Sequence, residues 1–321
     1  MKRALFVARF DEAKNSHAAL VQRALERLGC TVTVLNLEKT GWLGRLSRKD
    51  LNSRLEQALA HAQPDLVLLT DGEVLREGAV EANRRQGGAR WVHWFPTPDH
   101  DGSHIPLAVR HSDMVFVAGQ TLARHWSMKV GSAVHSLDSG CDPSVHRPLR
   151  VKDPFRANVV FAGTASSYRL GVLEQLVEFG LAIWGPGWKR TSLREYCRGE
   201  LVSAENFVRA YAGATLAINL HREAQGAPPD GACHRRIFEV AAIGVPQLVD
   251  SRRELADHFA VGQEVVMWNG IEELRARVRQ LLSDSSQREQ MSIAARQTAM
   301  KRHTYMHRCK TLLDEIGGKG R

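Results

Sequence analysis

A few short segments hold the residues with chemistry to offer. Gly163-Thr164-Ala165-Ser166-Ser167 is a run of small residues followed closely by Arg169. Backbone N–H groups in such a run can approach an anion, and a helix starting there favours negative charge. Arg169, in the first turn of that helix, could reach the same anion. A plain strand–helix turn would read the same. Gly185-Pro186-Gly187-Trp188 is a second tight turn, whose tryptophan could stack on a base or simply pack. In His234-Arg235-Arg236-Ile237-Phe238-Glu239, Arg236 and Glu239 stand three apart and share a helix face. They are either a structural salt bridge or a carboxylate for ribose hydroxyls beside a guanidinium for phosphate. His17 has the pKa to accept a hydroxyl proton near neutrality, though a lone histidine is more often a surface residue. Asp99, His100 and Asp101 are cleft candidates for the same role. They could hold a divalent cation, but their spacing matches no strong metal pattern, and no metal or other cofactor is expected to be required.

The elements around these residues place them at the ends of strands. Ala4-Leu5-Phe6-Val7-Ala8 is a first apolar strand, and a helix follows with Leu20, Val21, Ala24, Leu25 and Leu28 on one face. Gly29 ends it. Further strands are read at Thr31–Leu35, Asp65–Thr70, Arg90–Phe95, Asp113–Ala118 and Ala133–Leu137, with helices over 73–86 and 120–129. A Pro-rich stretch over 147–157 reads as a linker. The pattern then starts afresh with Asn158–Ala162, a helix carrying Leu170, Leu173, Leu176 and Val177, and strands at Leu181–Trp184, Leu216–Leu220 and Pro246–Asp250. The end is helical, with one apolar face from Leu274, Val278, Leu281 and Leu282 and another from Cys309, Leu312, Leu313 and Ile316. Strands alternating with helices make parallel α/β sheets. The expectation is two Rossmann-like domains, 1–150 and 151–321, facing each other across a cleft. Ligands then bind beyond the carboxyl ends of the strands.

Bulk properties narrow the class. At 321 residues the chain exceeds what one core comfortably fills. A net charge of +9 invites anionic partners, but the basic residues are spread along the chain. Phosphate-bearing substrates or a solvated surface are favoured over duplex nucleic acid. The five cysteines are odd in number and form no C-x-x-C pair, so reduced thiols and a cytoplasmic location are expected. No apolar run reaches the roughly 20 residues of a membrane span. The apolar stretch after Lys2-Arg3 breaks at Arg9, too early for a signal peptide.

The second half also resembles the CgeB family of glycosyltransferase-like proteins, within the retaining GT-B clan. The likeness is carried by Val160-Phe161-Ala162-Gly163, Trp184-Gly185-Pro186-Gly187-Trp188, Tyr211 before Ala217-Ile218-Asn219-Leu220-His221, and above all Arg236 to Pro246. Phe259 to Glu264, Glu273-Leu274, His303-Thr304-Tyr305 and Arg308 also fit. The first half is looser, matching at Trp91 to Asp99, Asp113 to Val117, and Asp142-Pro143 with His146 and Pro148. The resemblance implies a nucleoside-diphosphate sugar held by the second domain through Gly163, Thr164, Arg169, Gly185, Gly187, Trp188, Asn219, His221, Arg236 and Glu239. Glu239 matches the second Glu of the clan's E-x7-E motif, expected on the donor ribose. The first Glu would fall at Gly231, so the motif is incomplete here. His17 or Asp99 would orient or deprotonate the hydroxyl acceptor, which could belong to a glycan, a protein or a modified nucleic acid. A nucleotide-sugar epimerase or phosphorylase, or a non-catalytic glycan- or partner-binding descendant, are the alternatives.

Overall fold

The computed structural model describes residues 2–10, 16–37, 48–70, 75, 77–86, 88–97, 105–152, 154–201, 203–221 and 231–318. The chain divides into two compact units, Met1–Ser139 with Tyr305–Arg321, and Gly140–Thr304.

The first unit runs β1 (Arg3–Ala8), α1 (His17–Arg27), β2 (Thr31–Asn36), α2 (Arg48–Ala62), β3 (Leu66–Leu69), α3 (Glu77–Gln86), β4 (Arg90–Phe95), β5 (Met114–Val117), α4 (Gln120–Ser127) and β6 (Ala133–Ser136). Its sheet has six strands in the order β2-β1-β3-β4-β5-β6, all paired parallel. Parallel strands covered on both faces need continuous apolar runs, and β1 buries every residue after Arg3. Helix α1 starts where Ser16 accepts the Ala19 N–H on its hydroxyl at 3.3 Å, and it buries Leu20, Val21, Ala24 and Leu25.

The second unit runs β7 (Ala157–Ala162), α5 (Ser167–Glu174), β8 (Leu181–Trp184), β9 (Cys197–Gly199), α6 (Ala204–Ala212), β10 (Ala214–Asn219), α7 (Arg235–Ile243), β11 (Gln247–Asp250), α8 (Leu255–His258), β12 (Val266–Trp268), α9 (Ile271–Ser283) and α10 (Ser285–Arg302). The sheet order is β12-β11-β10-β7-β8-β9, and the pairings are again parallel. Val159, Phe161, Leu216, Ile218 and Leu248 form the centre of one core layer against α5 and α9. Val160, Ala217, Val240 and Ile243 line the other face, beneath α6 and α7.

The division differs from the expected 1–150 and 151–321. The last helix, α11 (Tyr305–Ile316), belongs to the first unit. Its Cys309 thiol lies 3.9 Å from the Val21 carbonyl of α1, and burial pushes that thiol's pKa up. The stretch read as a linker, 147–157, lies inside the second unit, with β7 already beginning at Ala157. Helix α3 is shorter than 73–86 among the described residues, and α4 stops at Ser127. Among the described residues, no helix is long and apolar enough to cross a membrane.

Candidate functional site

In each sheet the strand order reverses at one place, and open α/β sheets bind ligands beyond the strand ends at that reversal. In the second unit it lies between β7 and β10. The chain leaving β7 is the Gly163–Ser166 loop, and the chain leaving β10 carries Leu220 and His221.

The Gly163 loop is zipped to its neighbour after β8. Gly163 N–H donates to the Trp184 carbonyl at 2.8 Å and Ala165 N–H to that of Pro186 at 3.0 Å. The Trp188 indole N–H donates to the Gly163 carbonyl at 2.8 Å. So close an approach needs Gly185: its φ is +131°, and a Cβ there would fall 2.4 Å from the Gly163 oxygen. Gly187, at φ +89°, lies against Ala165, where a Cβ would come 3.1 Å from the Ala165 Cβ. Two N–H groups expected to cradle an anion are therefore already bonded within the protein. Gly185 and Gly187 act by letting the loops touch. Trp188 corrects its assignment as a base-stacking residue: it is 0% exposed and packs edge-on against Phe161 at 5.9 Å, so neither face of its ring is open to a ligand. Thr164, by contrast, is exposed at the loop tip.

Arg169 is also turned inward. Its Nη1 donates to the Thr164 carbonyl at 2.9 Å and its Nη2 to the Leu220 carbonyl at 3.0 Å. The guanidinium thus braces the two strand ends across the reversal, a strut more than a free phosphate ligand. Its Cζ lies 5.5 Å from the Phe161 ring centre. Arg236, from the first turns of α7, lies over the same ring at 5.9 Å. Its Nε is buried and makes no hydrogen bond among the described residues. A buried charged donor left unmatched is costly, and an anion in this crevice would match it.

Glu239 is buried one turn further along α7. Its partners are Arg235, with Nε at 3.6 Å, and His146, with Nε2 at 3.6 Å, not Arg236. His146 comes from the turn Asp142–His146. Its Nδ1 accepts the Asp142 N–H at 3.0 Å, so Nε2 carries the proton that faces the carboxylate. Sequence reasoning matched His146 to a family but did not read it as Glu239's neighbour. Glu239→Gln keeps shape and removes charge. If the carboxylate holds donor hydroxyls, donor affinity falls by roughly 1–3 kcal/mol, measured by calorimetry with circular dichroism as the check on folding. Unchanged affinity would show that Glu239 serves His146 and Arg235 alone.

Asn219 and His221 are both buried, at 2% and 3% exposure. The Asn219 amide donates to Gln247 Oε1, and Gln247 in turn donates to the Ile237 carbonyl at 2.9 Å, tying β10 to β11 and α7. His221 spends both ring nitrogens inside the protein. Nδ1 bonds Asp250 Oδ1, and Nε2 accepts the His234 N–H at 3.2 Å. Neither nitrogen is left to hold a donor, which corrects the direct role given to His221. Burial pushes the His221 imidazole below the ordinary histidine range, despite Asp250. Asp250, which burial alone would raise, is held low by His221 and Arg252.

In the first unit the reversal lies between β1 and β3. His17 is the first residue of α1, after β1, half-buried against Trp94 at 5.9 Å and Tyr305 at 5.3 Å. Asp99, His100 and Asp101 lie outside the described residues.

The chain thus holds two six-stranded parallel sheets, one in each unit and each with its own strand reversal. Whole-chain comparison with solved structures agrees. Sucrose-phosphate synthase from Thermosynechococcus elongatus superposes with a TM-score of 0.69 at 11% identity, covering 99% of this chain and 100% of that one. Its fold is GT-B. HepE from Anabaena, solved in complex with UDP-glucose, gives 0.66 at 12% identity, covering 99% and 100%. A structure described as a putative UDP-N-acetylglucosamine 2-epimerase from Listeria monocytogenes gives 0.60 at 14%, covering 100% and 98%. Within the GT-B chain, residues 169–314 match a family model described as glycosyl transferase-like. No curated protein matches the sequence.

Proposed function

We propose that this chain transfers a sugar from a nucleoside-diphosphate donor, held by the second unit, to a hydroxyl acceptor. The observation that carries this reading is Arg236: a guanidinium with a buried, unbonded Nε, laid on Phe161 beside the strand reversal. When the bond from the sugar C1 to the phosphate oxygen breaks, its electron pair stays on the diphosphate. A fixed guanidinium stabilises that developing charge most in a site shielded from water. Glu239 would hold the ribose. The acceptor oxygen takes the sugar, and its proton goes to His17, to Asp99, or to the leaving phosphate. A retaining outcome and a place in the CgeB-like branch rest on the resemblance at Arg236–Pro246, against the incomplete motif at Gly231, and a cytoplasmic location on the free cysteines.

Arg236→Ala is the test. Calorimetry with UDP, GDP and ADP, each beside its nucleoside, is expected to show diphosphate affinity falling by roughly 2–3 kcal/mol and nucleoside affinity barely moving. Equal losses for both ligands would place Arg236 in folding, not in phosphate binding. Gly231, where the clan has a carboxylate, favours one second reading, a donor binder without turnover. Tight donor binding with no product over many acceptors would establish it, and product from donor alone would mean an epimerase.

A further inference from the structure

Arg236 and Glu239 both ride on α7, so donor binding depends on how the start of that helix is held. Its N-cap residue, His234, makes no side-chain capping bond. The backbone N–H of His234 instead donates to Nε2 of His221 at 3.2 Å, and the two imidazoles stack with centres 4.6 Å apart and planes 26° apart. His221 can accept there only in the tautomer that carries its proton on Nδ1. Asp250 enforces that tautomer. One carboxylate oxygen takes the Nδ1 proton and the other takes the His221 backbone N–H at 2.9 Å. Arg252 sits 3.5 Å from the same carboxylate. The two residues come from the ends of neighbouring strands, β10 and β11, so the sheet itself fixes their distance.

We propose that Asp250 and His221 are positioning residues, a carboxylate–imidazole pair that locks the first turn of α7 and thereby aims Arg236 and Glu239 at the donor. The inference rests on the donor reading of those two residues.

Chemistry sets its signature. A doubly protonated His221 has no lone pair for the His234 N–H, so protonation releases the lock. Burial of the ring opposes that protonation and outweighs the nearby charges. Asp250 favours it, while Arg252 and Arg236 oppose it, as does burial, the largest influence. His234 is pushed well below the ordinary range, first by burial and then by His221, Arg236, Arg169 and Arg252. An exposed imidazole takes up its proton at about pH 6.5. The locked form excludes that proton, so the lock weakens only as pH falls below about 6.5, and is flat above it. Asp250→Asn offers one acceptor where two are needed. It forces either loss of the backbone bond or a switch of the proton to Nε2, where it meets the His234 N–H head-on.

The decisive experiment is imidazole nitrogen NMR on the wild-type protein, paired with calorimetry using UDP-glucose, whose diphosphate has no proton to gain in this range. The expected result is a His221 signal of the Nδ1–H tautomer, still neutral at pH 6. Asp250→Asn should shift that tautomer and raise the UDP-glucose Kd roughly tenfold, as outer-shell partners typically do. Wild-type affinity should stay flat above pH 6.5 and fall below it. A wild-type His221 that is Nε2–H, or that titrates like an exposed histidine, overturns the proposal without any variant. A shifted tautomer with unchanged Kd overturns it as well. If no nucleoside-diphosphate sugar binds the wild type, the donor reading fails, and the NMR signals still decide whether the lock exists.

Discussion

Replacing Trp188 by alanine is expected to cost roughly 3–5 kcal/mol of folding stability. The indole is 0% exposed, sits against Phe161, and ties its N–H to the Gly163 carbonyl at 2.8 Å. Removing it empties the junction of the two loops that end β7 and β8. Trp188→Phe keeps most of the packing and loses one hydrogen bond, a cost of about 1 kcal/mol, more if the Gly163 carbonyl is left dry. Urea denaturation reads both changes. If Trp188 instead stacked on a nucleobase, alanine would cost little stability and would weaken nucleoside binding selectively. Stability unchanged in both variants would therefore reverse the structural assignment. The same logic covers Gly185, where a single methyl would have to displace backbone.

The strands were legible because parallel strands buried on both faces need unbroken apolar runs, and Ala4–Ala8, Asn158–Ala162 and Leu216–Leu220 are such runs. The place of α11 was not. Cys309, Leu312, Leu313 and Ile316 announce a helix with one apolar face, but an apolar stripe does not say which unit it covers. Arg169 shows a similar limit. A sequence shows an arginine after a loop of small residues, whereas its partners are two carbonyls, one of them 51 residues away. Trp188 reads alike whether it stacks or packs until its burial is seen. The His221–Asp250 pair was within reach. Asn219-Leu220-His221 and Gln247-Leu248-Val249-Asp250 close successive strands of one sheet, and neighbouring parallel strands put such ends side by side. What no pattern supplied was the third partner, the His234 N–H. That gap turned a residue acting through α7 into an expected donor ligand.

The division of labour between the units gives the last test. On the proposed reading, in which Arg236 and Glu239 hold the donor, His17 and Asp99 are the two candidates for the acceptor's base. Removing a general base lowers kcat by roughly 10²–10⁴-fold. Donor affinity should hold within about 0.5 kcal/mol if neither residue shares a partner with the donor residues. His17 needs the gentler substitution. Its ring packs against Trp94 and Tyr305, so alanine would also open a gap, whereas His17→Gln keeps bulk and removes the titrating nitrogen. Asp99→Asn does the same for the carboxylate. Turnover and donor Kd are measured for each, with a melting curve to expose any packing loss. A fall in kcat at constant Kd and constant Tm names the base. Normal kcat in both variants means that neither residue takes the proton. The remaining proposal is then that the oxygen of the departing diphosphate accepts it on the same face of the sugar, the retaining route.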